Sequence, residues 1–472
     1  MSEEIIQKVG QYEVEEFKLQ NNYGSDPLIL SNFMVEMTIY EDIFSPYMHG
    51  NILIADSKDL INGLGIHGGE SITIKFRTTS LEDAPENILE RTFIVSGIYN
   101  RGMINDRQQT YTLKFCSPEG YDDQTKPMAG IQTVEGNFKD AIQKLYDDKI
   151  SGGRDRTEDG ASNDIDIQPD PEESEFAYMS NNWSPIQNMM YLTKFAKSGD
   201  GIPDYLFFES NKGYHFRSIS EMIESQKESP FDQYSYVQEG QPPVTKDGES
   251  LTNDILPPKF SQFNEIDIPR TIDVLEGQAS GQYASNTMMI DFFSKERQTI
   301  ASDVRGDMAS FKKTDSGLGV PAFVPRNSLQ KTFMMYGNSI LNTTNKVGFG
   351  VLDGAYVQGA GGYSYSQAFR RQYLYSFKDY SFEVIVPGRT DIEVGRLVKL
   401  VYPKGTSKAG IEDQDEALDP VLSGNYLITS IAHRFKPTDY TMNMNIVKNG
   451  LLEQAGPTKD EMNVSYDNAG GG

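Results

Sequence analysis

Cysteine, histidine and basic residues are scarce in this chain of 472 residues. It has one cysteine, Cys116, and four histidines, and its 68 acidic and 43 basic side chains give a net charge of -25. A single cysteine excludes an intrachain disulfide and a cysteine-based zinc site, and it is typical of a protein made in a reducing cytosol. The acidic excess argues against ordinary nucleic-acid binding, which needs basic side chains to replace phosphate counterions. It is compatible with a surface past which nucleic acid slides without sticking.

Long apolar runs are missing as well. No apolar run approaches the ~20 residues that a membrane-spanning helix requires, so we expect no membrane-spanning helix. The chain opens on acidic rather than basic residues and no apolar segment follows them, which predicts no secretory signal. Hydrophobic residues make up 38% of the chain and aromatic residues 11%, which is enough for packed cores. At about 150 residues per domain, the length suggests roughly three domains.

Motifs for catalysis or cofactor binding are not convincing. The Asp-Ser-Gly run at residues 315–317 resembles an aspartic-protease triplet, but it occurs once and follows lysines rather than an apolar strand. We interpret it as a turn. The glycine-rich runs at 348–350 and 359–362 lack the Gly-Lys-Ser/Thr of a phosphate loop, and we interpret them as ordinary loops.

Metal-ligand spacings are also missing. The histidines are scattered along the chain: His49, His67, His215 and His433. An acidic loop with Asp164, Asp166 and Asp170 could bind calcium but lacks an EF-hand spacing, so a solvated loop is the better interpretation. A glycosidase site made of two carboxylates is not excluded by the sequence, because so many acidic residues produce accidental pairs. We therefore predict no catalytic, cofactor-binding or metal-binding residue.

What the chain does contain is a repeat. Three segments in its first part match three segments that lie more than three hundred residues later, in the same order. A basic residue follows the second segment of each set, Arg101 in the first and Arg434 in the second. The matched pairs are residues 69–76 with 395–402, 92–98 with 425–431, and 111–115 with 440–444. Each segment alternates or is apolar as a short strand would be. The same kind of β unit is therefore predicted to occur twice.

The fold class predicted from this organisation is mainly β with an α+β middle. Two similar tube-like β-barrel domains flank a middle domain, and a glycine-rich insertion interrupts the second barrel. The predicted ranges are 12–120 for the first barrel domain, 121–257 for the middle domain with its acidic loop and linker, 258–302 with 363–450 for the second barrel domain, 303–362 for the insertion, and 451–472 for an extended tail.

Local signals place individual elements. Apolar spacing after Asn137 predicts a helix over residues 138–146, and Ser184 followed by Pro185 predicts the start of another. Residues 205–216 read as a hairpin and residues 366–377 as a helix. Residues 272–275 and 286–291 are predicted to be the opening strands of the second barrel, joined by a glycine-rich turn at 277–281, with 286–291 echoing 51–56.

The chain resembles the baseplate hub proteins of contractile-tailed bacteriophages of the T-even type, which are related to the hub half of type VI secretion spike proteins. The likeness lies in the order of several segments rather than in one invariant motif. Those segments are residues 40–43 with 50–58, residues 183–192, residues 368–398, and residues 426–433.

The resemblance implies a homotrimer in which each chain contributes two barrels to a pseudo-sixfold ring. Such a ring would stack on the hexameric tail tube, meet a trimeric spike on its other face, and contact the surrounding baseplate wedge proteins. DNA would pass through it in transit without specific binding, past acidic walls. The protein would be made in the host cytoplasm and reside in the virion, with no enzymatic activity and no cofactor.

Two other functions stay open from the sequence. One is a cell-wall hydrolase carried on the tail, and the other is a receptor- or glycan-binding tail protein, suggested by the many tyrosines. For a hub, we expect interface contacts on exposed edges of the matched strands at 69–76 and 395–402. The unequal turns after Arg101 and at Lys436 are where the two units should differ.

Overall fold

The computed structural model describes residues 10–24, 26–79, 87–125, 133–151, 162, 164–171, 175–179, 183–194, 196–198, 203–236, 262–263, 265–269, 271–291, 295–303, 312–318, 332–337, 361–402 and 418–452. No helix among them is long and apolar enough to cross a membrane.

Strands make up most of the regular structure. They are β1 (Tyr12–Gln20), β2 (Leu28–Ile29), β3 (Met34–Asp42), β4 (His49–Asp56), β5 (Ser71–Thr78), β6 (Ile88–Asn105), β7 (Gln108–Cys116), β8 (Thr133–Asn137), β9 (Asp166–Gln168), β10 (Glu175–Met179), β11 (Tyr205–Ser210), β12 (Gly213–Ser218), β13 (Asp232–Tyr236), β14 (Gln262–Phe263), β15 (Glu265–Asp267), β16 (Ala284–Asp291), β17 (Glu296–Asp303), β18 (Gly317–Leu318), β19 (Thr332–Gly337), β20 (Tyr380–Pro387), β21 (Leu397–Val401), β22 (Gly424–Lys436), β23 (Asp439–Lys448) and β24 (Gly450–Leu451).

Helices are short, with one exception near the second half of the repeat. They are α1 (Leu60–Leu64), α2 (Pro118–Thr125), α3 (Phe138–Leu145), α4 (Pro185–Leu192), α5 (Ile219–Glu224), α6 (Val274–Ser280) and α7 (Gly361–Ser376), with a 3-10 turn at Leu30–Asn32 and a π-helical turn at Tyr146–Ser151. The predicted helices at α3, α4 and α7 are confirmed, and so is the hairpin of β11 and β12.

A 14-stranded sheet carries both halves of the repeat. Eleven of its strands lie in the order β14-β13-β21-β22-β3-β4-β7-β6-β5-β1-β2. The other three form a branch in which β23 pairs with β22, β20 pairs with β23, and β15 pairs with β20. Within it, β5, β6 and β7 form an antiparallel meander, and β21, β22 and β23 form another. We name these the first and the second meander. Each is extended in the same way, because β4 pairs with β7 and β20 pairs with β23.

The two meanders share an unusual backbone feature at their start. Gly69 and Gly395 occupy matched positions, and both have positive φ, 89° and 81°. The N–H of Gly69 donates to the carbonyl of Val95 at 2.8 Å, and the N–H of Gly395 donates to the carbonyl of Ile428 at 2.9 Å. Because a left-handed residue is costly for any side chain with a Cβ, glycine stands at both positions. The sequence repeat is therefore a repeat of backbone geometry.

A β-bulge recurs at matched positions too. The ladder of β6 with β7 shifts between Val95 and Gly97, and the ladder of β22 with β23 shifts between Ile428 and Ser430. The extra residue is thus the fifth of residues 92–98 in one meander and the fifth of 425–431 in the other. A bulge adds local twist and bends the strand, so both meanders curve at the same point.

The predicted match of the third strands is off by two residues. Ile98 pairs with Leu113, and its counterpart Ile431 pairs with Met444. Residues 111–115 therefore correspond to 442–446 rather than to 440–444. A shift of two leaves every side chain on the same face of a strand, so the alternating pattern alone does not detect it.

Of the two opening strands predicted for the second barrel, one is not a strand and the other is a strand of a different sheet. Residues 274–280 form helix α6 instead of a strand and a turn, because the Asp273 side chain accepts a hydrogen bond from the Glu276 N–H at 2.8 Å and caps it. Residues 286–291 belong to β16, which lies in a separate three-stranded sheet with β17 and β19. The counterpart of β4 is β20. The predicted domain boundaries as such stay a prediction.

The core has two parts. One large cluster of buried side chains runs through both meanders, and a second cluster lies in the middle region around α3, α4, β11 and β12. The second cluster includes Phe138, Ile142 and Leu145 of α3, which bear out the helical spacing seen in the sequence. Most of the glycine-rich insertion, the linker after β13 and the tail lie outside the described residues.

Candidate functional site: the junction between the two meanders

Strands β3 and β22 join the two halves of the repeat. The N-terminal part of β22 pairs with β21, and farther along the same side it pairs with β3, from Ser430 opposite Asp42 to Phe435 opposite Met37. The Met37 end of β3 lies beside the end of β4 that is next to the β6–β7 turn. It also lies beside the end of β22 that leads into the β22–β23 turn. The β6–β7 and β22–β23 turns therefore lie at the same end of the molecule.

A buried glutamate sits at the centre of this junction. Glu41 of β3 is fully buried. Its carboxylate accepts hydrogen bonds from the N–H of Asn211 at 3.2 Å and from the N–H of Val394 at 3.4 Å. The Nε2 atom of His433, also fully buried, lies 3.5 Å from Glu41 Oε1. One side chain of the first meander's sheet thus contacts the middle region and the second meander at once.

The turn between β11 and β12 is held by residues from both meanders. Asn211 Nδ2 donates to the carbonyl of Ile88 at 3.2 Å, and the guanidinium of Arg91 donates to the carbonyl of Ser210. From the other side, the Ser210 hydroxyl donates to Glu393 Oε2 at 2.8 Å. Because these hydrogen bonds are buried, they fix the turn between the meanders.

Ser210, His215 and Asp166 have the order of a serine-hydrolase triad. Ser210 Oγ lies 2.8 Å from His215 Nε2, and His215 Nδ1 lies 3.1 Å from Asp166 Oδ2. Ser210 is fully buried, and its oxygen also accepts a hydrogen bond from the N–H of Lys212 at 3.1 Å. A nucleophile must reach a substrate carbonyl. The arrangement therefore serves as a structural network that orients the β11–β12 turn.

A pair of threonines makes a second link between the meanders. Thr78 at the end of β5 and Thr390 after β20 are both buried, and their hydroxyls lie 3.2 Å apart. The N–H of Thr390 donates to Thr78 Oγ1 at 3.1 Å, and the N–H of Thr78 donates to Thr390 Oγ1 at 3.2 Å. This reciprocal pairing fixes the loop that begins the second meander against the first.

Aromatic packing closes the turn of the second hairpin. The ring of Tyr12 in β1 lies 5.2 Å from that of Phe435 and 6.1 Å from that of Tyr440. The N–H of Tyr440 donates to the carbonyl of Gly10 at 2.8 Å. The start of β1 thus covers the base of the second hairpin. The first hairpin is different, since Met103 near its turn is 67% exposed.

The edges that the sequence suggested for assembly are occupied. Strand β5 pairs with β1 from Ser71 to Thr78, and β21 pairs with β13. The prediction of exposed edges at residues 69–76 and 395–402 is therefore wrong, because strands from outside the repeated segments cover them. The predicted difference in turn length is wrong, because each turn has two residues, 106–107 in the first hairpin and 437–438 in the second. The hairpins differ instead in the ladder of the first, which shifts between Tyr99 and Gly102 and between Met103 and Asn105, and in its greater exposure.

The scattered histidines and acidic residues have separate partners. His49 stacks on Tyr40 at 5.2 Å, His433 joins the Glu41 network, and Asp170 pairs with Lys139 at 2.6 Å. Asp315 is buried and accepts from the N–H of Asn425 at 3.0 Å, in a bend as predicted. No metal-binding group of three or more ligands occurs among the described residues. The predicted absence of catalytic, cofactor and metal residues stays a prediction.

Sequence reasoning missed Glu41, Asn211 and Glu393. Each lies in an ordinary strand, turn or loop, and no spacing links them, because they come from parts of the chain about 170 residues or more apart. The one local signal was an acidic residue, Glu41, within a strand whose neighbours are buried. A charged residue in such a place is rarely buried unless it is paired.

The architecture defines the class of protein. It is mainly β, built from a duplicated β meander around an α+β middle. No family model matches the chain and no curated protein sequence is similar to it. Among solved structures, the tail protein from Neisseria meningitidis MC58 is similar over 94% of this chain and 98% of its own, with a TM-score of 0.50 and 9% identity.

Two further structures match with lower scores. A 43 kDa tail protein of prophage MuSo2 from Shewanella oneidensis covers 92% of this chain and 99% of its own, with a TM-score of 0.46 and 10% identity. An Escherichia coli type VI secretion component, described as similar to T4 tail proteins gp27 and gp5, covers 95% and 79%, with a TM-score of 0.42 and 7% identity. The mainly β class is confirmed, and the predicted resemblance is supported as far as a fold shared with a phage-type tail protein.

Proposed function

We propose that this chain is the structural hub of a contractile phage-tail baseplate. Three copies form a ring of six barrels, which joins a hexameric tail tube to a trimeric spike and is surrounded by wedge proteins. The observation that carries the proposal is the repeated geometry of the two meanders, with both hairpin turns at one end. A duplicated unit is what a trimer needs to present six similar surfaces to a sixfold partner.

The rigid junction supports this role. The two meanders are held by a continuous sheet, by Glu41 and by the paired Thr78 and Thr390. An adaptor that transmits contact between tube and spike needs its two barrels at a fixed angle. Buried polar networks of this kind specify one arrangement, because each alternative leaves polar groups unpaired.

The net charge of -25 suits the inside of a channel. Acidic side chains on the lumen would repel DNA from the wall, so that it passes in transit without binding. The protein acts as a structural component of the virion tail, is made in the host cytoplasm, and neither catalyses a reaction nor uses a cofactor. The burial of Ser210 supports this over hydrolysis.

The test is the oligomeric state. We expect native mass spectrometry of purified protein, alone or with its trimeric spike, to give three copies, and negative-stain images to show a ring with six lobes. A protein that stays monomeric with both spike and tube present contradicts the proposal. Turnover of peptidoglycan by wild type, lost in Ser210→Ala, would favour a tail hydrolase, and retention on a glycan array would favour a receptor-binding protein.

A further inference from the structure

The hydrogen bonds of the junction determine where the histidine of β22 carries its first ring proton. His433 is fully buried, and its Nδ1 atom lies 2.8 Å from the hydroxyl of Tyr440. That hydroxyl donates to the carbonyl of Arg389 at 3.0 Å. Because a hydroxyl has one proton, the Tyr440 oxygen accepts from His433, and Nδ1 is the donor. The first ring proton of His433 is therefore on Nδ1.

The Tyr440 hydroxyl is held in this role by its surroundings. Its ring stacks on that of Phe435 with 4.2 Å between the centres, and a Cβ added to Gly388 would lie 2.2 Å from it. Burial raises the pKa of Tyr440, and the nearby carboxylates of Glu41 and Asp391 raise it further. The hydroxyl therefore keeps both its proton and its position at neutral and mildly alkaline pH.

The second ring nitrogen of His433 faces the buried glutamate. Nε2 lies 3.5 Å from Glu41 Oε1, and it has no hydrogen-bond partner among the described residues. Without a proton on Nε2, a lone pair would lie against a carboxylate oxygen, and the buried carboxylate would lose its ion-pair partner. Both are unfavourable away from water. A proton on Nε2 removes both penalties, because it makes the contact an imidazolium–carboxylate pair.

The other titratable groups around the pair do not take the place of His433. They are Lys212 of the β11–β12 turn, Asp232 and Tyr234 of β13, and Arg389, Asp391, Glu393 and Arg396 between β20 and β21. Arg389 pairs with Asp391 at 2.7 Å and with Asp232. Arg396 pairs with Glu393 at 2.8 Å. Burial lowers the pKa of Lys212, although Glu393 and Glu41 act to raise it. Among the described residues, His433 is the basic group that forms an ion pair with Glu41.

We propose that the junction between the meanders holds a buried proton, with His433 an imidazolium paired to the Glu41 carboxylate even at a pH where a solvated histidine is neutral. The glutamate lies on β3 and the histidine on β22, so this proton stabilises the pairing of the two halves of the sheet. A solvated histidine loses its proton near pH 6.5. Above that pH the folded chain binds more protons than the unfolded chain, so the junction weakens as the pH rises. The inference does not depend on the proposed hub function.

The ring nitrogens of His433 test the proposal directly. At pH 8, solid-state NMR of sedimented wild-type protein with nitrogen-15 histidine should show both nitrogens of His433 protonated. Its signals are assigned by removing the other histidines one at a time, in His49→Gln, His67→Gln and His215→Gln. Glu41→Gln should leave one ring nitrogen of His433 unprotonated, whereas His67→Gln, at an exposed position, should not change the His433 signals. An unprotonated ring nitrogen at His433 in wild type at pH 8 overturns the proposal.

The pH dependence of unfolding is the second measurement. The unfolding constant of wild type relative to that of Glu41→Gln should rise as the pH increases from 5.5 to 9, by at most tenfold per pH unit, because the two folded states differ by one bound proton. Lys448 and the other histidines are present in both proteins, so their contributions cancel. The same ratio for His67→Gln should not depend on pH. A constant ratio for Glu41→Gln over this range overturns the proposal, and if that variant does not fold, the spectrum of wild type decides.

Discussion

At the scale of single residues, several polar side chains are buried where the sequence pattern suggested an ordinary strand. Lys448 at the end of β23 is the clearest case, since it is fully buried. Its Nζ donates to the carbonyl of Ser423 at 2.7 Å and lies 4.8 Å from the centre of the Tyr426 ring. Burial lowers the pKa of Lys448 to about 8, against the opposing pull of Asp315 and Asp419.

This lysine predicts a pH dependence of stability. Its folded pKa of about 8 lies below the usual lysine pKa of 10.5, so the unfolded chain binds more protons between these values. Stability relative to Lys448→Met should therefore rise with pH from about 8 to about 10.5, by at most about 3 kcal/mol. Below pH 8 the difference should be constant.

Urea unfolding at several pH values measures this effect. Lys18→Met, a surface change in β1, controls for the loss of a lysine. The comparison with a variant is needed because several buried tyrosines have raised pKa values and contribute to the alkaline response of the whole protein. A difference between wild type and Lys448→Met that stays flat from pH 7 to 10 contradicts the prediction.

At the scale of elements, the duplicated glycine and bulge show that the two meanders are built on one plan. The left-handed glycine lets the chain enter the first strand while its N–H bonds to the second strand. The extra residue then bends that second strand at the same place. The meanders differ in what surrounds the glycines, since a Cβ on Gly395 would lie 2.8 Å from Met222 Sδ.

Alanine at the two glycines should therefore have related but unequal effects. Gly69→Ala should destabilise by about 1–2 kcal/mol, the usual cost of a left-handed alanine. Gly395→Ala should cost more, because the Met222 side chain must also move. Gly63→Ala in α1, where no atom lies within 4 Å of the added Cβ, should be neutral or stabilising. Thermal unfolding measures all three, and equal melting temperatures for Gly69→Ala and wild type would refute the shared strain.

At the scale of the whole molecule, the junction makes one sheet from two repeats and fixes the middle region between them. Glu41 is the residue through which the three parts meet, because its carboxylate binds N–H groups of Asn211 and Val394 and faces His433.

Removing this carboxylate should loosen all three parts together. Glu41→Ala leaves two buried N–H groups without an acceptor and should cost about 1–3 kcal/mol for each. Glu41→Gln keeps one oxygen and should cost less. Hydrogen exchange should accelerate in the β11–β12 turn, near residue 394 and in β22 together, while Glu36→Ala in the same strand should change none of them. Faster exchange confined to β3 would mean that the junction does not depend on Glu41.

Much of the fold could be predicted from the sequence. Alternation and apolar runs identified the repeated strands, and caps such as Ser184 located helices, because these signals are local. The predicted strand at 272–275 failed since Asp273 caps a helix there. The match of 286–291 to 51–56 failed because short apolar runs look alike, and only pairing shows that β20 holds the equivalent place.

The sequence by itself determined that a β unit occurs twice and that each copy begins with a glycine, because strand period and backbone preference are local properties. The tertiary structure decided the register of the third strands, since a shift of two preserves every face. It also decided which edges are covered, because β1 and β13 come from outside the repeat. The tertiary structure also decided the Glu41 junction, because folding brings together residues that no spacing in the sequence connects.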